Sequence, residues 1–490
     1  MIPMDLNWIA KVLGVKITPK EINIINIINK AVTNINTDTR TITSNEVFLA
    51  LKGPNFDGHK FVHQAINQGA VAVIVEKDVL AELDETQVVQ FIVDNTQTAL
   101  GLLASAVKDE VSPKTIAITG SVGKTTVKEM TASILGLNAK VLSTKGNFNN
   151  EIGVPLTLLR LEQDDEYAVI ELGANHLNEI AYTCNLVKPD VATICNVAAA
   201  HLEGFGDIDG VATAKGEIFS GLDASGIAVL NYDSEYHDFW FNTLNTNKVL
   251  RFSTLSKKDV WAENITFDHF GRAKFTLCSK NETSLVQLKL PGKHNIKNAL
   301  TASALTLALN IPLEQIATGL SQIQEVKGRV NLIELTDVIT IIDDSYNANV
   351  QSVKAGIDLL KQIDGYKVLA LGDMGELGEN ELQYHEEVGR YAQSQGINLF
   401  YTLGALSEVA CNAFNKNNPL HQKSRHFTQR TELLTQISRD LCDYQKDSNE
   451  KITILVKGSR SAAMELLVQD IIKNKASLAL QNNNAGDLLC

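Results

Sequence analysis

Residues 115–130 read TIAITGSVGKTTVKEM, and how they fold decides the rest. The run 115–119 is apolar enough for a short buried strand, and 127–137 has the apolar spacing of a helix. Between them lies a glycine turn. Such a turn at a helix start aims backbone N–H groups at an anion, where the helix dipole favours negative charge. In that arrangement Lys124 reaches the outer phosphates of a nucleotide, and the Thr125 hydroxyl faces a magnesium ion. The longer loop G-x-x-x-x-G-K-[ST] is not matched: Gly123, Lys124 and Thr125 are present, but the glycine before them is Gly120, and Ile118 stands where the longer loop has its first glycine. The plainer alternative is a strand-to-helix turn with a solvated lysine.

Outward from this stretch, strands are expected at 167–171, 191–196 and 227–231 with helices between them, which implies a mostly parallel sheet covered on both faces. Residues 260–290 read as a small antiparallel insertion. From about 325 the strand-helix alternation restarts at 338–343, 367–372, 398–404 and 452–458, a second open α/β unit. Ahead of the central unit, 47–51 and 71–75 are strand-like, LKGPNFDG is a turn cluster, and 61–69 looks helical. The expected fold is therefore α/β in three domains, 1–90, 91–320 and 321–480, with 481–490 a frayed tail.

A net charge of −13 over 490 residues argues against a general partner for nucleic acid or anionic membrane, because the summed field repels polyanions. It leaves room for a small anion held by a local cluster. The six cysteines show no C-x-x-C pair and no metal-ligand spacing, and no run of 18 apolar residues occurs. A reducing, cytoplasmic setting without membrane insertion is expected.

Polar residues gather after the strands, where open α/β sheets bind ligands. Gly120–Thr126 follow one strand, Glu171 ends the next, and Asn196 with AAAHLEGFG follows the third. Asp343 and Asp344 end the first strand of the last unit, so a cleft between domains is expected. Glu171 and His201 suit a magnesium ion beside Thr125, although a lone loop histidine is more often structural. Lys215 lies on a helix where a solvated lysine is the default. Asn295 fits a helix cap or a contact to a base edge, and spacing leaves both open. Arg329 either clamps a terminal phosphate across the hinge or decorates a linker. DDSYNAN (343–349) is too polar for a core.

Together, ITGSVGKTTVKEM (118–130), GNFNNEIGVPLTLLRL (146–161), YAVIELGANHLNEI (167–180), NVAAAHLEGFG (196–206), AKGEIFSGL (214–222), GKHNIKNALTASA (292–304), IIDDSYNANVQSVKAG (341–356), LALGDMGELG (369–378) and VKGSRSAAME (456–465) resemble the Mur ligases. TDTRTITSNEVFLALKG adds a weaker likeness in the first domain, so the resemblance spans nearly the whole chain. It also accounts for the short TGxxGKT loop. The resemblance is strongest to the last member of that pathway, which joins D-alanyl-D-alanine to UDP-N-acetylmuramoyl-tripeptide.

The resemblance implies a central P-loop-type ATPase domain and a Rossmann-like C-terminal domain. It implies ATP on Gly120, Ser121, Val122, Gly123, Lys124, Thr125 and Thr126, with Asn295 at the adenine, Arg329 on the phosphates, Asp344 near the ribose, and Tyr346 and Asn347 along the same edge. Thr125 and Glu171 would help hold one magnesium ion, and His201 with a carbamylated Lys215 a second; Lys124, His201 and Lys215 would be catalytic. Ser44, Lys52, Asp57, Gly58 and His59 fall in the UDP-sugar region, and Asn149 and Asn150 face the muramyl peptide. The LGDMGELG and KGSRS loops are expected at the incoming amine's site, and a monomer is expected. Val350 departs from the proline common in the family, which should soften that turn.

Overall fold

A computed structural model describes residues 2–16, 31–53, 56–79, 88–198, 202–246, 248–280, 282–324, 326–416 and 422–475. The expected frayed tail and His201 lie outside the described residues. The chain forms three α/β units, each built on its own sheet.

The first sheet is parallel, in the order Asn34–Asn36, Glu46–Leu49, Ala72–Val75, Val89–Ile92 among the described residues. A two-stranded ribbon, Lys52–Gly53 against Phe56–Asp57, projects from it at the turn cluster. The helix Thr96–Val111 then links the first unit to the second. Its Leu100, Leu103, Ala104 and Val107 share one apolar cluster with Leu6 and Ile9 on one side and Leu158 and Ile180 on the other. These two units thus pack through a common core.

The central sheet has nine described strands. From one edge they run Glu282–Pro291, Arg272–Ser279, Val260–Phe267, Val249–Ser253, Ile227–Asn231, Val191–Ile194, Lys114–Thr119, Tyr167–Glu171, Val141–Ser143. The stretch 260–290 is antiparallel, yet it is no separate insertion. Val260 and Trp261 pair in parallel with Phe252 and Ser253, so the three strands extend the main sheet. Lys114–Thr119 lies in the middle, with Ile116, Ala117 and Ile118 fully buried, each isoleucine contributing roughly 1.5–3 kcal/mol by leaving water. The following helix is Lys124–Leu135, starting one turn earlier than its apolar spacing suggested. It buries Val127, Met130, Thr131 and Ile134, one face at the helical repeat.

The third unit holds six described strands in the order Asn331–Glu334, Ile339–Asp344, Ile452–Lys457, Tyr366–Gly372, Leu399–Leu403, Lys423–Phe427, parallel except for the first. Two apolar clusters cover its faces, both confined to residues 330–471. Among the described residues no apolar cluster is shared with the central unit. The carboxyl ends of Lys114–Thr119 and Ile339–Asp344 meet across a single cleft.

Candidate active site

The glycine turn is held by the protein's own contacts. Gly120 has φ +152° and Gly123 φ +84°, backbone that a side chain resists. A Cβ on Gly123 would stand 2.8 Å from Oδ1 of Asn298, and one on Gly120 2.9 Å from Cβ of Cys195. The end of the neighbouring strand pins the loop from beneath. Asn196 Oδ1 accepts from the Val122 N–H at 2.8 Å, and its Nδ2 donates to the Val122 carbonyl at 2.7 Å. Ser121 Oγ donates to the Ala198 carbonyl at 3.1 Å and accepts from the Ala198 N–H at 3.0 Å. No side chain caps the helix at Gly123. Its first N–H groups are thereby left to an anion.

Lys124 folds back to donate to the Gly120 carbonyl at 2.7 Å. Burial holds its ammonium below the ordinary lysine range, while Glu171 pulls it back up. The Thr125 hydroxyl donates to Oε2 of Glu171 at 3.0 Å and accepts from Nη2 of Arg329 at 3.2 Å. Asn149 Nδ2 donates to the other oxygen of Glu171 at 2.8 Å. Glu171, 3% exposed, is therefore a buried carboxylate whose side-chain partners are neutral. That donor set suits a hard cation. Asn150 faces inward differently: its Oδ1 accepts from the Gly153 N–H at 2.8 Å, starting the helix Gly153–Leu158.

Lys215 is 2% exposed on the helix Ile208–Gly216. The Phe205 ring centroid lies 6.0 Å from its Nζ, and no carboxylate pairs with it among the described residues. Burial, with Lys124 adding repulsion, lowers its pKa to about 7. A helical lysine would be solvated by default; this one is enclosed.

The opposite wall comes from the third unit. Asp344 accepts from Nζ of Lys457 at 2.6 Å, and Lys457 also donates to the Asn347 carbonyl at 3.0 Å. Arg329 lies 4.3 Å over the Tyr346 ring, with Arg460 at 5.8 Å from the same ring, each measured from guanidinium carbon to centroid. Part of the polar DDSYNAN loop is structural. Asp343 accepts from the Ser345 hydroxyl at 2.5 Å, and Asn349 caps the helix Val350–Gln362 through the Ser352 N–H at 2.9 Å. Glu376 of LGDMGELG also lines the cleft, its carboxyl raised by burial and lowered by Lys124.

Asn295 Nδ2 donates to the Pro291 carbonyl at 2.8 Å, and its Oδ1 accepts from Asn298 at 2.9 Å. It is buried inside the first turn of the helix His294–Ala308 and does not cap it. Lys297 and Asn298 join it in lining the cavity.

The cavity has a volume of about 780 Å³ and is lined by Ser121–Thr126, Asn149, Asn150, Glu171, Lys215, Asn295, Arg329, Asp344, Tyr346 and Asn347 together. Ser44, Lys52, Asp57, Gly58 and His59 stand apart on the first unit and do not line it. There Asp57 Oδ1 pairs with His59 Nδ1 at 2.7 Å, and His59 Nε2 accepts from the Glu76 N–H at 2.9 Å. A second, shallower depression of about 460 Å³ near Tyr232 and Arg251 contains none of the sequence-derived candidates. From sequence, Asn196 stood out only as a polar residue after a strand and Lys457 only as part of the KGSRS loop, while Asn298 did not stand out. The local signal for Asn298 was its place three residues after Asn295; for Lys457 it was the end of a strand.

Three family descriptions match in chain order: "Mur ligase family, catalytic domain" at residues 31–108, "Mur ligase middle domain" at 118–306, and "Mur ligase, glutamate ligase domain" at 328–460. The chain is 43% identical over 475 residues to the UDP-N-acetylmuramoyl-tripeptide–D-alanyl-D-alanine ligase of Haemophilus influenzae, covering 96% of this chain and 99% of that protein. It is 44% identical over 441 residues to the ligase of the same name from Escherichia coli, covering 90% and 94%. Among solved structures it is similar to MurF from Acinetobacter baumannii, with TM-score 0.87, 35% identity and coverage of 96% and 99%. MurF from Thermotoga maritima in complex with ADP superposes with TM-score 0.78 at 25% identity, covering 91% and 99%.

Proposed function

The chain belongs to the Mur ligase family, and on that premise we propose that it joins D-alanyl-D-alanine to UDP-N-acetylmuramoyl-tripeptide at the expense of ATP. The product is the UDP-N-acetylmuramoyl-pentapeptide. The observation that carries this reading is the full-length likeness to ligases of that name, joined to one cleft in which Lys124, Glu171 and Arg329 converge from two units.

A carboxylate does not acylate an amine at neutral pH, because oxide is too poor a leaving group. The terminal carboxylate of the tripeptide attacks the γ-phosphorus of ATP, and ADP departs. The amine of D-alanyl-D-alanine then attacks the acyl phosphate, and inorganic phosphate leaves. The loop N–H groups and Lys124 hold the phosphates and neutralise charge that builds on the transferring group. Arg329 adds a second cation from the hinge side. Asp344, Tyr346, Asn347 and Asn295 hold the nucleoside. Positioning is the larger share of such catalysis, worth roughly 7–11 kcal/mol in well-aligned cases.

Thr125 and Glu171 are the groups that would hold one magnesium ion, and His201 with Lys215 as a carbamate a second; bound there, magnesium supplies charge neutralisation at the phosphoryl oxygens. A buried amine without a carboxylate partner, with a pKa near 7, is a suitable nucleophile for carbon dioxide. Ser44, Lys52 and Asp57–His59 would take the UDP end, and Asn149 and Asn150 the peptide end. The unit at work is a cytoplasmic monomer with domain limits near residues 90 and 320. Among the described residues no helix is long and apolar enough to cross a membrane.

The test is an isotope trace. With ¹⁸O in the tripeptide carboxylate, one label should appear in inorganic phosphate for each ADP formed, dependent on D-alanyl-D-alanine. Label-free phosphate would overturn the mechanism; turnover with single amino acids in place of the dipeptide would overturn the acceptor.

A further inference from the structure

We propose that Lys457 is a positioning residue of the nucleotide site, acting through Asp344. This rests on the reading above that Asp344 meets the nucleotide, and it moves Lys457 from the incoming amine's site, where the KGSRS loop was expected, to the ATP side.

Lys457 ends the strand Ile452–Lys457, and its parallel register against Ile339–Asp344 sets it directly beside Asp344. The side chain is 2% exposed. A buried ammonium is tolerated only when its protons are bound. Here Nζ donates to Oδ2 of Asp344 at 2.6 Å and to the Asn347 carbonyl at 3.0 Å. One cation thus fixes both the carboxylate and the backbone of the loop that carries Tyr346 and Asn347. The other carboxylate oxygen, Oδ1, makes no hydrogen bond among the described residues, and Asp344 lines the cavity.

A bare carboxylate in a cleft built for polyphosphate would repel its ligand. Lys457 cancels that charge from behind and leaves one oxygen facing the cavity as an acceptor. The other titratable groups around the pair are His294 on the helix His294–Ala308, whose imidazole burial holds toward the neutral form, Arg329 in the hinge and Asp358 on the helix Val350–Gln362. Among the described residues none of them hydrogen-bonds to the Asp344 carboxylate.

The experiment is calorimetric titration of a non-hydrolysable ATP analogue into the full chain carrying K457M, K457R, D344N or D344N/K457M, with kcat and KM for ATP measured alongside. K457M should weaken the analogue on the order of tenfold, the loss of a hydrogen bond to a charged group. KM for ATP should rise in parallel while kcat stays within about twofold. K457R should recover most of the affinity. In the D344N background K457M should cost clearly less than in the wild-type background, because only the contact to the Asn347 carbonyl is left to lose. Should K457M alone not fold, D344N against D344N/K457M decides: a further loss below about threefold supports the proposal, and one of about tenfold or more overturns it. Unchanged affinity in K457M overturns it while the reading of Asp344 stands. Wild-type affinity in D344N overturns that reading too.

Discussion

Nη2 of Arg329 donates to the Thr125 hydroxyl at 3.2 Å across 204 residues of sequence, so this arginine reaches the end of the glycine turn directly. The same hydroxyl donates to Glu171. Arg329 Nε, buried and without a hydrogen-bond partner, is a spare donor in a cleft read as a phosphate site. R329A should weaken an ATP analogue by one to two orders of magnitude. R329K should recover little, since one point charge replaces a planar fork stacked on Tyr346. Calorimetry checks both, and full recovery in R329K would show that charge alone matters.

G123A should abolish nucleotide binding while lowering the unfolding midpoint by only about 2–10 °C. The methyl group meets Asn298 Oδ1 at 2.8 Å in a backbone conformation at φ +84°. The strain is local, costing roughly 1–3 kcal/mol. Circular dichroism with analogue titration separates the two effects.

K124M should lower ADP formation by at least ~10³-fold, the scale expected when a preorganised charge on the transferring group is lost. Binding of the UDP-tripeptide should survive, because the candidate UDP residues lie outside the cleft. An ADP-release assay alongside substrate titration tests this.

Lys215 should carry carbon dioxide in a pH-dependent way. With a pKa of about 7, roughly half the amine is free at pH 7, against about one part in 3,000 for an ordinary lysine. Labelling with ¹³CO₂ should give a carbamate resonance that is lost in K215A. That variant should be nearly inactive and partly rescued by short carboxylic acids. The sign for stability follows: the folded-state pKa lies below the unfolded value of 10.5, so the cost of burying the unmodified lysine is full below about pH 7 and shrinks as pH rises. K215M should therefore raise the unfolding midpoint most at pH 6, by an amount that falls toward pH 9.

V350P should stabilise the third unit by ~0.5 kcal/mol with kcat unchanged. Val350 is the first residue of the helix Val350–Gln362, where the N–H has no intrahelical acceptor. Asn349 before it is extended, at φ −134° and ψ 169°, as a residue preceding proline requires. Denaturant titration checks it. The capping pair Asn349–Ser352 holds this turn despite the valine.

The interior strands were legible because their apolar runs are unbroken, as in Lys114–Thr119 and Ile452–Lys457. The edge strand Lys423–Phe427 was not, because a half-exposed edge carries the polar sequence KSRHF. Val141–Ser143, only three residues long, left too little pattern to see. In the cleft, the residues at strand ends were legible through their position alone. The grip of Asn149 on Glu171 and of Lys457 on Asp344 depends on register and loop path between distant segments, which no local pattern encodes.

Because the cavity's two walls belong to units with no apolar cluster in common among the described residues, an inhibitor has two distinct ways to work. On the proposed function, a compound resting only on the Lys124 side should compete with ATP and be escaped by changes in that wall. One bridging Lys124 and the Asp344 loop would staple the enzyme shut, and its resistance mutations should fall at the hinge around Arg329 instead.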